Sequence, residues 1–161
     1  LKEKWLFEFK NDLAAFLASS TLVNEYVKQG SAMRRRMAEL DGQIAFMDPN
    51  FNFKEISKLK AMLEDVIQVE RSSYQNFEQQ REMANLHMTK IQLFLNKKDT
   101  SHSDIREQLK KWANYSTSLE KKMYSKQGLT DTLENKGLDI KDAIVKAAKN
   151  LIEVESKKLT S

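Results

Sequence analysis

The densest run of side chains able to do chemistry is Glu70-Arg71-Ser72-Ser73-Tyr74-Gln75-Asn76, followed by Gln79, Gln80 and Arg81. Donors and acceptors repeated at helical spacing can orient a polar ligand, or they can hold a hydrated layer that fixes the register of two helices. Arg34-Arg35-Arg36 is the only run among the six arginines of a lysine-rich chain. A guanidinium grips carboxylate or phosphate with two parallel hydrogen bonds, which an ammonium does not. Reflecting a helical hairpin about a turn near residue 50 places residues 70 to 80 opposite 30 to 20, where Ser19, Ser20, Asn24, Gly30 and Ser31 stand, so two polar patches facing each other could enclose a ligand-sized space. These segments give a candidate ligand-binding set of Asn24, Arg35, Arg71 and Tyr74, suited to a small anion or amphiphile. Solvated charge on a helix flank is the plain alternative for the arginines.

Other chemistries find little support. There is no Cys, which removes disulfides, thiolate nucleophiles and Cys-ligated metal centres. Of the two histidines, His87 continues the heptad positions of Leu59, Val66, Ser73 and Gln80 and reads as an inward, neutral core residue. Lys90 and Ile91, at its helical ligand spacings, bind no metal, and His102 is too far along the chain to pair with it. No Gly-rich loop or nucleophile–base pair accompanies the many carboxylates. The expectation is therefore a protein that is not an enzyme and holds neither metal nor cofactor. The seven Met read as adaptable core filling. Lys and Arg total 27 against 23 Asp and Glu, interspersed rather than in blocks. That suits a solvated helical surface and offers no nucleic-acid module. No apolar run approaches the roughly 18 residues needed to cross a bilayer. The start at Leu1 rather than Met leads us to expect membrane spans, if any, outside the sequence.

The elements that position these residues are helices. With 4 Gly and 1 Pro in 161 residues, few positions force a helix to stop, and period-two alternation is absent. Phe9, Phe16, Val23, Gly30, Met37 and Ile44 recur every seven residues, which describes one helix of roughly 45 residues. Asp48-Pro49-Asn50 breaks it. Asn52 as N-cap, Glu55 completing a capping box and Phe51 stapled to Ile56 mark the restart. A second long helix then runs to about Lys97. Ser101 or Ser103 is available to cap a third helix carrying Ile105, Leu109, Trp112, Leu119 and Met123. Gly128 reads as a helix-ending glycine, Thr130 as the start of a brief helical turn closed by Gly137, and Asp139 as the cap of a last helix.

The fold class is thus all-α: an antiparallel bundle over residues 1–161 with two long helices in a hairpin and two shorter ones, of roughly 26 and 21 residues. If the shorter helices pair, the two chain ends lie together and residues 26 to 74 of the hairpin lack a third or fourth helix. The apolar residues there, among them Met33, Leu40, Ile44, Leu59 and Met62, call for a partner, most simply a second copy of the chain. The alternative is a three-helix bundle whose third helix is long and kinked.

From Phe94 onwards the chain resembles a known family. Phe94-Leu95, Asp99, Tyr115, Gly128-Leu129, Gly137-Leu138, Ala147-Ala148, Leu151-Ile152 and then Glu153 or Glu155 are similar to the helical-bundle sensory domains of bacterial methyl-accepting chemotaxis receptors. Where such receptors often carry a Glu-Lys-Asp run before the Phe-Leu pair, Ile91-Gln92-Leu93 stands here. The resemblance implies a periplasmic, dimeric bundle between two membrane spans that binds a small ligand and passes a small helix displacement inward. Histidine kinases use similar sensors, so it leaves the output domain open. From a different class, a structural or scaffolding coiled-coil module without a small ligand is the alternative reading.

Overall fold

The computed structural model describes residues 1–123, 125 and 128–160. Four helices follow one another, α1 (Lys2–Ala45), α2 (Phe53–Phe94), α3 (Thr100–Met123) and α4 (Asp131–Thr160), with no strand among the described residues. They pack as a four-helix bundle along part of its length. The two longest, of 44 and 42 residues, form the antiparallel hairpin that the heptad seam requires. At 1.5 Å per residue α1 is about 66 Å long.

Each break has a chemical cause, and several differ from the expected one. Asp48 closes the hairpin turn: its Oδ1 accepts the Asn50 amide at 2.9 Å and its carbonyl accepts the Asn52 amide at 2.8 Å. Asn52 holds the N-cap position without a side-chain cap bond, and Phe51 is 86% exposed, so the expected capping box and staple are not made. Asp99, rather than Ser101 or Ser103, caps α3, its Oδ1 accepting both the amide and the hydroxyl of Ser101. Thr130 caps α4 by accepting the Leu133 amide at 3.2 Å. Gly128, at φ +68°, takes the left-handed conformation that favours glycine, and a Cβ there would strike Ser31. Gly137, expected to end a helix, lies inside a continuous α4. It is there for close packing: a Cβ would come within 2.3 Å of the Tyr115 ring.

The core is one continuous cluster in the near half of the hairpin. Phe9, Phe16, Val23 and Val27 of α1 and Phe77, Ala84 and Ile91 of α2 meet Ile105, Leu109, Trp112, Tyr115 and Leu119 of α3 and Ile140, Ile144, Ala148 and Leu151 of α4. Phe16 and Trp112 meet edge to face at 5.0 Å. α3 and α4 run antiparallel, pairing His102 with Glu155 at one end and Tyr115 with Gly137 further along. The kinked-rod, three-helix alternative is therefore set aside. Their turn reaches α1 at Gly30, which packs on Met123, and at Ser31, which packs on Gly128. The hairpin left alone is consequently residues 32–69, shorter than the expected 26 to 74.

Within that arm Leu40, Ile56 and Leu59 are buried between the two helices. Met33, Met37, Ile44, Met47, Leu63 and Val66 are half-buried. The hairpin hides more of its seam than expected, and the apolar surface it leaves bare is concentrated at the tip, at Phe46, Phe51 and Phe53. At the opposite end both chain termini meet, with Leu1, Lys2 and Lys158 lining one cavity. No helix among the described residues is long and apolar enough to cross a membrane.

Candidate functional site

Where α3 ends against α2, a step is left on the side of the hairpin. Glu70, Arg71, Tyr74 and Gln75, one face of α2, surround a cavity of about 300 Å³ whose apolar wall is Met123. Two of the four sequence-derived candidates, Arg71 and Tyr74, are thus brought together with an acceptor, an amide and an apolar wall. Arg71 is exposed and Tyr74 half-buried. Behind the step Arg34 ties α1 to α2: its Nη1 lies 3.4 Å from Glu70 Oε1 and its Nη2 3.3 Å from Ser31 Oγ. Arg34 Nε is buried without a partner. Glu70 therefore faces the cavity while fixed from the rear.

The other two candidates fall elsewhere. Arg35 stands exposed on α1. Asn24 is buried, and its Oδ1 accepts the Tyr115 hydroxyl at 2.8 Å. The facing polar patches of α1 and α2, read as a possible ligand space, are filled by α3, because Tyr115 reaches Asn24 and Met123 seats on Gly30. Ser20 and Ser73 turn their hydroxyls onto the carbonyls of Leu17 and Val69 in their own helices. Burial pushes the Tyr115 hydroxyl up to about 12, against the lowering by its hydrogen bond to Asn24. His87 is half-buried, with Nδ1 3.0 Å from Asp12 Oδ1 across the hairpin.

The most concentrated group of buried charge lies at the terminal end and was not expected. His102 Nδ1 accepts the Asn96 backbone N–H at 2.8 Å, which fixes the proton on Nε2, and Nε2 donates to Glu155 Oε1 at 3.0 Å. Lys158 Nζ donates to the same oxygen at 3.0 Å and lies 3.5 Å from Asp99 Oδ2. Burial alone would raise the Glu155 carboxyl, but the His102 and Lys158 hydrogen bonds and the Lys158 charge outweigh it and hold it below its usual range. The Ser101 hydroxyl and amide lower Asp99, and the Glu155 hydrogen bond raises Lys158. Trp5 completes the end, stacked on Phe9 at 5.5 Å and on His102 at 6.1 Å, with Nε1 donating to the Phe94 carbonyl at 3.3 Å. A cavity of about 430 Å³ opens there between Trp5, Phe94, Asn96 and Lys158.

Asp99, His102 and Glu155 bring three potential ligand atoms within 4.8 Å of one another. The donor set does not suit a metal. Coordination through Nε2 needs the proton on Nδ1, where the Asn96 N–H already points, and the Lys158 ammonium occupies the position between the two carboxylates. The group acts instead as a clamp that joins the start of α3 to the end of α4. One signal for it stands in the sequence, because Glu155 continues the buried stripe Ile144, Ala148 and Leu151 at helical spacing.

Comparisons with protein-family models, with curated proteins and with solved structures return no match to this chain.

Proposed function

We propose that this chain is the extracytoplasmic ligand-sensing domain of a transmembrane receptor, a methyl-accepting chemoreceptor or a sensor kinase of a bacterial inner membrane, and that it converts small-ligand binding into helix displacement. The observation that carries this reading is the placement of α1 and α4. The helices that begin and end the chain lie side by side, tied by Lys28 to Glu134 and by Lys141 to Thr21, and both finish at the same end. A shift of α4 along α1 is therefore delivered where two membrane spans would continue.

The step cavity is the ligand site in this reading. Arg71 and Tyr74 orient a small anionic or amphiphilic ligand against Met123, the last residue of α3. A ligand held there draws the end of α3 towards α2. The turn that follows rests on Ser31 through Gly128, so α4 moves with it, and the His102–Glu155 clamp fixes its far end to α3. Two closely spaced packings of this kind suffice for a signal. The lone arm, residues 32–69, supplies the surface for a second copy.

The test is thermal stabilisation of the purified chain across amino acids, organic acids and polyamines. A ligand that stabilises the wild type should stabilise Arg71→Ala less, with helical circular dichroism unchanged, since loss of one exposed charge alters folding by no more than about 0.5 kcal/mol. Equal stabilisation of both proteins eliminates Arg71. One observation favours a second reading, a scaffolding module without a small ligand: the exposed Phe46, Phe51 and Phe53 at the tip of the arm. Absence of stabilisation across the whole screen would put that reading first.

A further inference from the structure

We propose that the cavity at the terminal end of the bundle binds a small primary amine with an apolar body, whose ammonium takes the seat that the Lys158 ammonium occupies between Glu155 and Asp99. The cavity, of about 430 Å³, has a polar wall and an apolar one. Glu155 stands in the polar wall with its side chain only 10% exposed. Burial alone would raise its carboxyl, but the hydrogen bonds from His102 and Lys158 hold it below the usual carboxylate range, so it is ionised at neutral pH. Its Oε1 accepts from His102 Nε2 and from Lys158 Nζ, each at 3.0 Å, while its Oε2 accepts no hydrogen bond among the described residues. Asp99 Oδ2 lies 3.5 Å from the same Nζ. Two carboxylates thus converge on one cation and leave an acceptor over, a seat that suits the three N–H donors of a primary ammonium.

The cation in that seat is exchangeable. The Lys158 side chain is 43% exposed in the last turn of α4 and reaches Glu155 of its own helix on a flexible four-carbon stem. When it swings out to solvent the buried carboxylate loses a counter-charge, which is costly unless another cation enters. An incoming ammonium restores the balance and a neutral or anionic molecule does not, which sets the sign of the ligand. The His102–Glu155 bond that joins α3 to α4 is kept throughout. The other wall selects the body. Trp5 and Phe94 meet edge to face at 5.9 Å, and Trp5 Nε1 is tied to the Phe94 carbonyl, so this apolar surface is formed in advance. The exposed Lys2 beside it disfavours a second positive charge on the ligand, which selects a monoamine over a polyamine. The step cavity lies at the opposite end of α3, so this site does not depend on the ligand assigned there.

The experiment is calorimetric titration of the purified chain with phenethylamine. Phenylpropionate and phenylethanol carry a similar body with a negative charge and with none, and phenethyltrimethylammonium is a cation without N–H donors. The wild type should bind phenethylamine saturably and the other three at least about tenfold more weakly, the worth of a hydrogen bond to a charged group. Lys158→Ala should bind phenethylamine more tightly than the wild type, because the competing ammonium is gone. Lys157→Ala, an equal change of net charge one residue away, should bind like the wild type. Glu155→Gln should weaken binding by about tenfold or more. Circular dichroism verifies the fold of each variant, and should Glu155→Gln not fold, the comparison of Lys158→Ala with Lys157→Ala decides. Absence of saturable phenethylamine binding, equal binding of any of the three analogues, unchanged or weaker binding by Lys158→Ala, an equal gain in Lys157→Ala, or wild-type affinity in a folded Glu155→Gln overturns the proposal. Arg71→Ala should bind phenethylamine like the wild type, and a loss there would move the amine to the step cavity and overturn the proposal as well. Ligand stabilisation through Arg71 is read with other compounds, so the two readings fail separately.

Discussion

Tyr115 shows how one side chain joins three helices. Its hydroxyl donates to Asn24 of α1 while its ring fills the space that Gly137 of α4 leaves open. Tyr115→Phe leaves Asn24 Oδ1 without its partner in the core and should destabilise by about 1–3 kcal/mol in denaturant unfolding. Because burial raises this hydroxyl to about 12 in the fold, the unfolded chain ionises first. Stability from Tyr115 is complete below about pH 10 and falls as pH rises towards 12, by about 2–3 kcal/mol, and Tyr115→Phe should remove that part of the alkaline loss. Gly137→Ala would gain helix propensity of about 1 kcal/mol but force the Tyr115 ring to move, for a net loss expected at about 1–2 kcal/mol. The acid limb belongs to the clamp. The lowered Glu155 and Asp99 contribute stability above their ordinary carboxylate range, and it is lost as pH falls through their folded values. Denaturant unfolding as a function of pH should show Glu155→Gln with a flatter acid limb than the wild type.

Among the elements, α3 is the one whose placement decides the site. Its last residue, Met123, both packs on Gly30 and walls the step cavity. A Cβ at Gly30 would lie 2.8 Å from the Met123 methyl, so Gly30→Leu should lift the end of α3 from α1 at a cost of about 1–3 kcal/mol. Hydrogen exchange should then rise in the last turns of α3 and remain low around Trp112, and any ligand stabilisation seen in the wild type should fall. Uniform protection along α3 in that variant would separate the cavity from the Gly30 contact. Arg81 braces the same helix from α2, with Nε donating to Ser116 and Nη1 2.8 Å from Glu120.

At the scale of the molecule, a half-length helix pair beside a full-length hairpin leaves a bare arm of roughly 20–25 Å. Dimerisation through the arm predicts concentration-dependent sedimentation at micromolar concentrations, lost in Phe46→Ser/Phe53→Ser, whose side chains are exposed and not needed to fold the hairpin. A monomer at every concentration would remove the second copy from the proposed function. Ile56 and Leu59 are poor sites for this test, because they are buried between α1 and α2 and a polar residue there would break the hairpin itself. For signalling, labels at residues 2 and 160 should report a short separation that changes on ligand addition, since the two chain ends line the same cavity. An unchanged distance with a bound ligand would sink the coupling of the step cavity to α4.

The helical class, the two long helices and the turn at Pro49 were legible in the sequence, because helix periodicity, scarce Gly and a proline are properties of neighbouring residues. Helix lengths allowed the short helices either to pair or to run on as one kinked rod, and only the His102–Glu155 and Tyr115–Gly137 contacts decide for the pair. The roles of single residues were less legible. Gly137 carries the same local signal whether it ends a helix or admits a ring, and the difference is a Tyr115 contact 22 positions away in sequence. Asn24 reads as an available polar side chain until the Tyr115 hydroxyl occupies its Oδ1, whereas Arg71 and Tyr74, a helical turn apart, remain neighbours on any helix. The clamp depends on Asn96, Asp99, His102, Glu155 and Trp5 converging from four segments. Helix formation is set by short-range hydrogen bonds and spacing, while a polar site is set by which distant side chains meet in the same desolvated space, and that only the tertiary packing decides.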